Sequence, residues 1–219
     1  MFGMFKNSLF GNTEETEYKL LSSETKDGVS FEVRRYDAAK FAAVSSEGRT
    51  FDQVTGELMR KLLMYIGGSN EQGEAMGTAA PIIMTVYPRN DGVFSRRLVV
   101  AIRIPTSYQQ EPPTPTDSAI RIEERPGMTV YALYVSFKVV LLLLLLFDVY
   151  TASALKSFSI CRQFGGFAGE SEYRAEALRL TRTLGETAPF QRKQYFCCSY
   201  DPLRPYGRRN EVWFLQEEP

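Results

Sequence analysis

Histidine is absent from all 219 residues of this chain, which removes the usual general base and the commonest metal ligand. Net charge is absent as well: Lys+Arg and Asp+Glu stand at 26 each, so no overall field recruits nucleic acid or an anionic membrane, and any anion binding must be local. Cysteine is scarce. Cys161, Cys197 and Cys198 are an odd number, and two are sequence neighbours that cannot readily bridge each other. No disulfide framework follows, and a cytoplasmic location is expected. The start, MFGMFKNSLFG, lacks the apolar run and small-residue cleavage site of a secretory signal. The longest apolar run, Val139 to Phe147, is nine residues, against about 20 for a membrane span. Stable membrane insertion is therefore not expected.

A chain of this length forms one domain with a sizeable core, read here as residues 1–219 with an N-terminal tail over 1–18. Tyr18 to Leu21 begins a short strand, and Phe31 to Arg35 and Lys40 to Ser45 read as two more, separated by a turn around Asp37. Thr50 to Gly68, TFDQVTGELMRKLLMYIGG, reads as an amphipathic helix. Thr50 is its N-cap, Gln53 three residues on completes a capping box, and Gly67-Gly68 stops it. Val54, Leu58, Leu62 and Ile66 recur every four residues and form the core stripe. Met59 and Leu63 form a second row beside Arg60 and Lys61. Spacing alone favours further core for that row; the alternative is the floor of a groove for a flat, apolar, anionic ligand.

Pro81 opens a strand running to Tyr87, and Asn90-Asp91-Gly92 signals a hairpin turn. In the returning strand Leu98, Val100, Ile102 and Ile104 alternate with Arg97, Val99, Ala101 and Arg103, giving one buried and one mixed face. Gln109 to Asp117, with three prolines, reads as a linker between halves. The first half then repeats. Ile122 to Arg125 matches Phe31 to Arg34, Thr129 to Leu133 matches Lys40 to Val44, and Tyr195 to Tyr200 matches Ile82 to Tyr87. A second helix, Ser171 to Leu184, buries Tyr173, Ala177, Leu180 and Leu184, and Glu211 to Leu215 is the last strand. Duplicated strand–helix–hairpin units predict an α+β fold, an antiparallel β-sheet curved into a distorted barrel and flanked by two helices.

Residues 135–163 break the repeat, and the first half has no counterpart for them. Val135-Ser136 is encodable as an intron start, the Leu and Phe codons as a pyrimidine-rich tract, and Gln163 as the common intron end. The hypothesis is that these 29 residues translate a retained intron or a gene-model error. A major transcript of this full length across Tyr134 to Phe164 would sink it.

With that segment set aside, the chain resembles the SOUL haem-binding protein family over essentially its whole length. The stretches that carry the resemblance are MFGMFKNSLFG, KLLMYIGGSNEQGEAMG, LVVAIRIP, IRIEERPGMTVY, QFGGFAGESEY and, most specifically, YDPLRPYGRRNEVW at Tyr200 to Trp213. The resemblance implies a monomeric cytosolic protein that holds haem and iron-free porphyrins in a hydrophobic groove. It implies groove contacts from Met59 and Leu63, with Arg204 as a propionate partner. Basic residues of the family's helix fall on Gly56 and Met64 in this chain, so Arg60 and Lys61 are the cations expected to stand in. No axial histidine is possible. The resemblance also offers an alternative role, in which the N-terminal stretch is released as a chemoattractant peptide acting on a cell-surface receptor.

Other constellations carry less. Cys197 or Cys198 as thiolate ligands compete with the commoner reading of inert core cysteines in a strand. Glu123 and Glu124 are adjacent, point to opposite faces of a strand and make no acid–base pair. Arg208-Arg209 lacks the surrounding basic stripe of a nucleic-acid interface. No nucleophile has an apparent partner, so an enzyme is not expected.

Overall fold

The computed structural model describes residues 13–88, 95–133, 168–200 and 209–217. The 135–163 segment, Cys161 and the first twelve residues lie outside them. In chain order the strands are β1 (Glu14–Glu15), β2 (Lys19–Lys26), β3 (Val29–Tyr36), β4 (Ala39–Glu47), β5 (Ala79–Ala80), β6 (Ile82–Pro88), β7 (Ser95–Arg103), β8 (Arg121–Arg125), β9 (Met128–Leu133), β10 (Tyr195–Ser199) and β11 (Asn210–Leu215). Helix α1 (Phe51–Ile66) follows β4, and α2 (Glu170–Leu184) precedes β10.

Nine strands form one antiparallel sheet in the order β2-β3-β9-β11-β10-β6-β7-β4-β8, and β1 pairs with β5 in a separate two-stranded piece. The predicted duplication explains this order. Outward from the central β10–β6 pair, β11 stands opposite β7, β9 opposite β4, and β3 opposite β8. Each position on one side is the repeat counterpart of its opposite, so the halves are related by a two-fold axis between β10 and β6. The halves also exchange their first strands, because β3 pairs with β9 of the second half and β8 with β4 of the first. The sheet is open, with β2 and β8 as its edges, so the expected barrel is present as a curled half-barrel.

Both helices pack on one face of this sheet. Val54, Leu58, Leu62 and Ile66 of α1 and Tyr173, Ala177, Leu180 and Leu184 of α2 are all buried in a single core, as their spacing predicts. Phe51 and Tyr65 join them, and the Tyr65 hydroxyl donates to the Pro113 carbonyl at 2.7 Å. The proline-rich 109–117 stretch is therefore no free spacer. Thr114 accepts from Glu71 N–H at 2.9 Å, and Asp117 pairs with Lys61 at 2.8 Å. The face of β7 expected to be mixed is covered at Ala101, which joins Tyr36, Phe41, Phe196, Cys198 and Trp213 in a second core on the far side of the sheet.

Strand β2 runs five residues beyond Leu21, to Lys26. Asp27 (φ 53°) and Gly28 (φ 73°) then turn it into β3 with Lys26 opposite Val29. Two consecutive left-handed residues make the hairpin turn whose twist matches paired strands. Residues 13–18 cross the sheet and are held by polar contacts. Glu14 meets Arg103 at 2.6 Å, Glu15 meets Arg209 at 2.8 Å, and Thr16 N–H donates to the Ala80 carbonyl at 2.8 Å.

Candidate functional site: a groove between the two helices

Helix α1 starts where the sequence requires. Gln53 Oε1 accepts the Thr50 N–H at 3.1 Å, and Asp52 adds a carboxylate to the first turn, where backbone N–H groups are unpaired. It ends as the Gly67 N–H donates to the Leu63 carbonyl at 2.9 Å. One flank of the helix lies over the sheet, and the other faces α2, which it meets at its first turn through Phe51 and Asp52. Between them is a groove of about 490 Å³, within the range of about 300–1,000 Å³ usual for small-molecule sites.

Three parts of the fold supply its lining. Phe51, Met59 and Leu63 come from α1, Tyr173 and the backbone at Gly169 from α2, and Met84, Ser199 and Asn210 from β6, β10 and β11. The floor is thus the central strands, where the two halves of the molecule meet. The Tyr173 hydroxyl donates to Asn210 Oδ1 at 3.0 Å, fixing α2 to β11 at the bottom of the groove. Alternation along β11 turns the next residue, Glu211, into the far core. There its carboxylate accepts from Arg34 Nη1 at 2.7 Å, Trp213 Nε1 at 2.7 Å and Tyr200 Oη at 2.9 Å. Burial alone would ease the proton off Arg34, but the Glu211 carboxylate outweighs it and keeps the guanidinium charged.

The expected site residues separate into three groups. Met59, Leu63 and Arg60 line the groove, and Met59 and Leu63 are half-buried against the core. Lys61 and Met64 are not among the lining residues. Lys61 Nζ turns to Asp117 Oδ2 at 2.8 Å, and its hydrogen bond is the main reason that carboxyl lies below its usual range. Met64 is 49% exposed. Arg204 lies outside the described residues. Gly56 does line the groove, and a Cβ there would meet nothing within 4 Å. Phe51, Asp52, Met84, Ser199 and Asn210 were not legible as lining. Four elements bring them together, and no single stretch carries their pattern.

The charges at the rim are uneven. Arg60 is exposed and makes no ion pair among the described residues. At the other end Asp52 Oδ1 accepts the Glu170 N–H at 3.0 Å, and Glu172 Oε2 accepts the Gly169 N–H at 3.0 Å. Backbone N–H donation, helped by the Ser171 hydroxyl, holds the Glu172 carboxyl below its usual range. Gly169 packs closely at this junction: a Cβ would sit 3.1 Å from Asp52 Oδ1 and 3.2 Å from Glu172 Oε2, so the two carboxylates would have to shift slightly. Cys197 and Cys198 are fully buried outside the groove, and burial pushes both thiols well above their ordinary range. Among the described residues no cluster of Cys, Asp and Glu gathers to hold a metal ion, and no helix is long and apolar enough to cross a membrane.

Comparison with known proteins decides the family. The profile described as SOUL heme-binding protein matches residues 13–138 and 148–215. The chain belongs to the SOUL haem-binding family. Its relatives include Heme-binding protein 1 of Xenopus tropicalis, 40% identical with 99% of each chain covered. Heme-binding protein 1 of Mus musculus is 38% identical, covering 99% of this chain and all of its own. Heme-binding protein 2 of Homo sapiens is 27% identical, covering 86% of this chain and 78% of its own. The family match omits residues 139–147, which hold the apolar run, and includes 135–138 and 148–163 on either side of it.

Proposed function

We propose that this SOUL protein binds haem and iron-free tetrapyrroles in the groove between α1 and α2, without a histidine ligand. Its role is then intracellular haem buffering or transport in the cytoplasm, by a monomer that does no catalysis. The observation that carries this reading is a largely apolar groove of about 490 Å³ with an arginine at its rim that makes no ion pair among the described residues, in a member of a haem-binding family. The lining fits a flat macrocycle. Met59 and Leu63 offer apolar surface to its faces above a floor of almost fully buried Phe51, Met84 and Tyr173, and Arg60 offers a donor fork to a propionate.

Haem, when bound, supplies the redox-active iron, and the protein's part is to shield the ring and hold its carboxylates. Burying one porphyrin face, about 200–300 Å² of apolar area, contributes about 5–7 kcal/mol before entropy costs. An exposed propionate–arginine pair contributes only about 0–1 kcal/mol. Apolar contact therefore dominates, and the missing cations at positions 56 and 64 weaken binding without abolishing it. Soret titration tests this: saturable binding with similar affinity is expected for haem and for its iron-free analogue. No saturable shift with either would remove the proposal.

A further inference from the structure

The groove has a cationic end and an anionic end, and the anionic end is built from the N-terminus of α2. A free helix N-terminus attracts anions through unpaired N–H groups that together carry about half a positive charge. Here the protein's own carboxylates take those groups. Asp52, reaching across from α1, takes the Glu170 N–H, and Glu172 takes the Gly169 N–H. Among the described residues two full negative charges thus face about half a positive one, a balance that repels a further carboxylate at this end of the groove. Arg60 lies eight residues along α1 from Asp52, about 12 Å at the helical rise. Lys61, the neighbouring cation, is committed to Asp117 on the other side.

We infer that the groove selects tetrapyrroles whose carboxylates are gathered on one edge of the ring, with Asp52 as the residue that excludes carboxylates from the opposite edge. The inference rests on the tetrapyrrole reading and goes beyond it. A macrocycle with two adjacent propionates places both near Arg60 and presents its methyl and vinyl edge to Asp52 and α2. One that carries a propionate on every pyrrole ring cannot avoid the acidic end in any orientation.

The test is fluorescence and Soret titration of the full chain with protoporphyrin IX and with coproporphyrin III, the iron-free representatives of the two patterns. At low salt coproporphyrin should bind about fivefold more weakly, the reach of one exposed like-charge contact. Two manipulations separate repulsion from the simple loss of vinyl contact. Raising the salt from about 0.01 M to 1 M cuts the screening length from about 30 Å to 3 Å and should close most of the gap. Asp52→Asn keeps an oxygen that accepts the Glu170 N–H, so the α2 cap survives while the charge goes. A melting curve confirms that the variant is folded. It should bind coproporphyrin nearly as tightly as protoporphyrin. A gap that survives both manipulations overturns the inference and leaves the tetrapyrrole reading standing. Equal binding by the unmodified protein at low salt overturns it likewise. Absence of saturable binding by either porphyrin removes both.

Discussion

Gly56 offers one position where stability and binding are read from a single site. It lies within α1, it lines the groove, and a Cβ added there meets nothing within 4 Å. Its backbone is not in the left-handed region. Gly56→Ala therefore removes the entropic penalty of glycine without introducing a clash, a gain of about 0.8–1 kcal/mol. In a domain of this size that corresponds to a rise in Tm of about 2–4 °C, readable by calorimetry. Gly56→Lys keeps most of that gain. Its ammonium falls one turn from Asp52 and one turn from Arg60, so a favourable and an unfavourable pair of about 0.2–0.5 kcal/mol each nearly cancel on the helix. For the ligand the result is a second cation on the groove face of α1. Affinity for protoporphyrin IX should rise by up to about fivefold at low ionic strength and fall back when salt is added. A lower Tm for Gly56→Ala would refute the open geometry of this face. An unchanged affinity for Gly56→Lys at low salt, in a folded protein, would refute the placing of ligand carboxylates along α1.

Glu211→Gln keeps the shape of the buried node but removes the buried counter-charge of the Arg34 guanidinium, leaving it only the more exposed Glu32 carboxylate at 2.7 Å. A loss of about 3–5 kcal/mol in urea denaturation is expected, and a loss under about 1 kcal/mol would show that the node is not desolvated. Lys61→Gln should leave porphyrin affinity within error, because its ammonium is bonded to Asp117 outside the groove. Arg60→Gln should weaken protoporphyrin binding at low salt, and a reversal of the two results would exchange their roles. Glu14 is held below the usual carboxylate range: burial pushes it up, but bonds from Thr106 and Arg103 outweigh that. A depressed folded value means that its stabilising contribution is present above about pH 4.5 and lost as pH falls through the folded value. Amide exchange at residues 14–16 should therefore accelerate selectively on acidification below about pH 4, and uniform protection down to pH 3 would contradict the clamp.

Helix α1 was legible because one face of it must be dry. Four apolar residues spaced by four, a cap at Thr50 and a stop at Gly67 leave little freedom to a helix. The same holds for α2, whose four predicted contacts are all buried. The sequence carries β2 only to Leu21 because Ser22 to Lys26 are polar, exposed beyond the half-buried Ser22, and without hydrophobic alternation. The Asp27-Gly28 pair was the available signal for its full extent. The burial of Arg34 and Glu211 is not written in either strand, since only their pairing across β3, β9 and β11 makes it tolerable. The same limit applies to Lys61 and Arg60. They are neighbours in sequence but about 100° apart around the helix, and which of them meets the groove depends on where the 109–117 segment docks.

The sequence by itself determined the family, the two amphipathic helices, the repeated unit and the impossibility of a histidine ligand. These follow from local spacing, composition and extended motif likeness, none of which needs a partner strand. Tertiary structure alone decided that the halves exchange their first strands, and that the groove floor is where β6 meets β10 and β11. It also decided that Asp52 reaches the α2 N-terminus 118 residues away in sequence. A groove is made of surfaces that belong to different elements, so its shape and the sign of charge at each end exist only after those elements have packed.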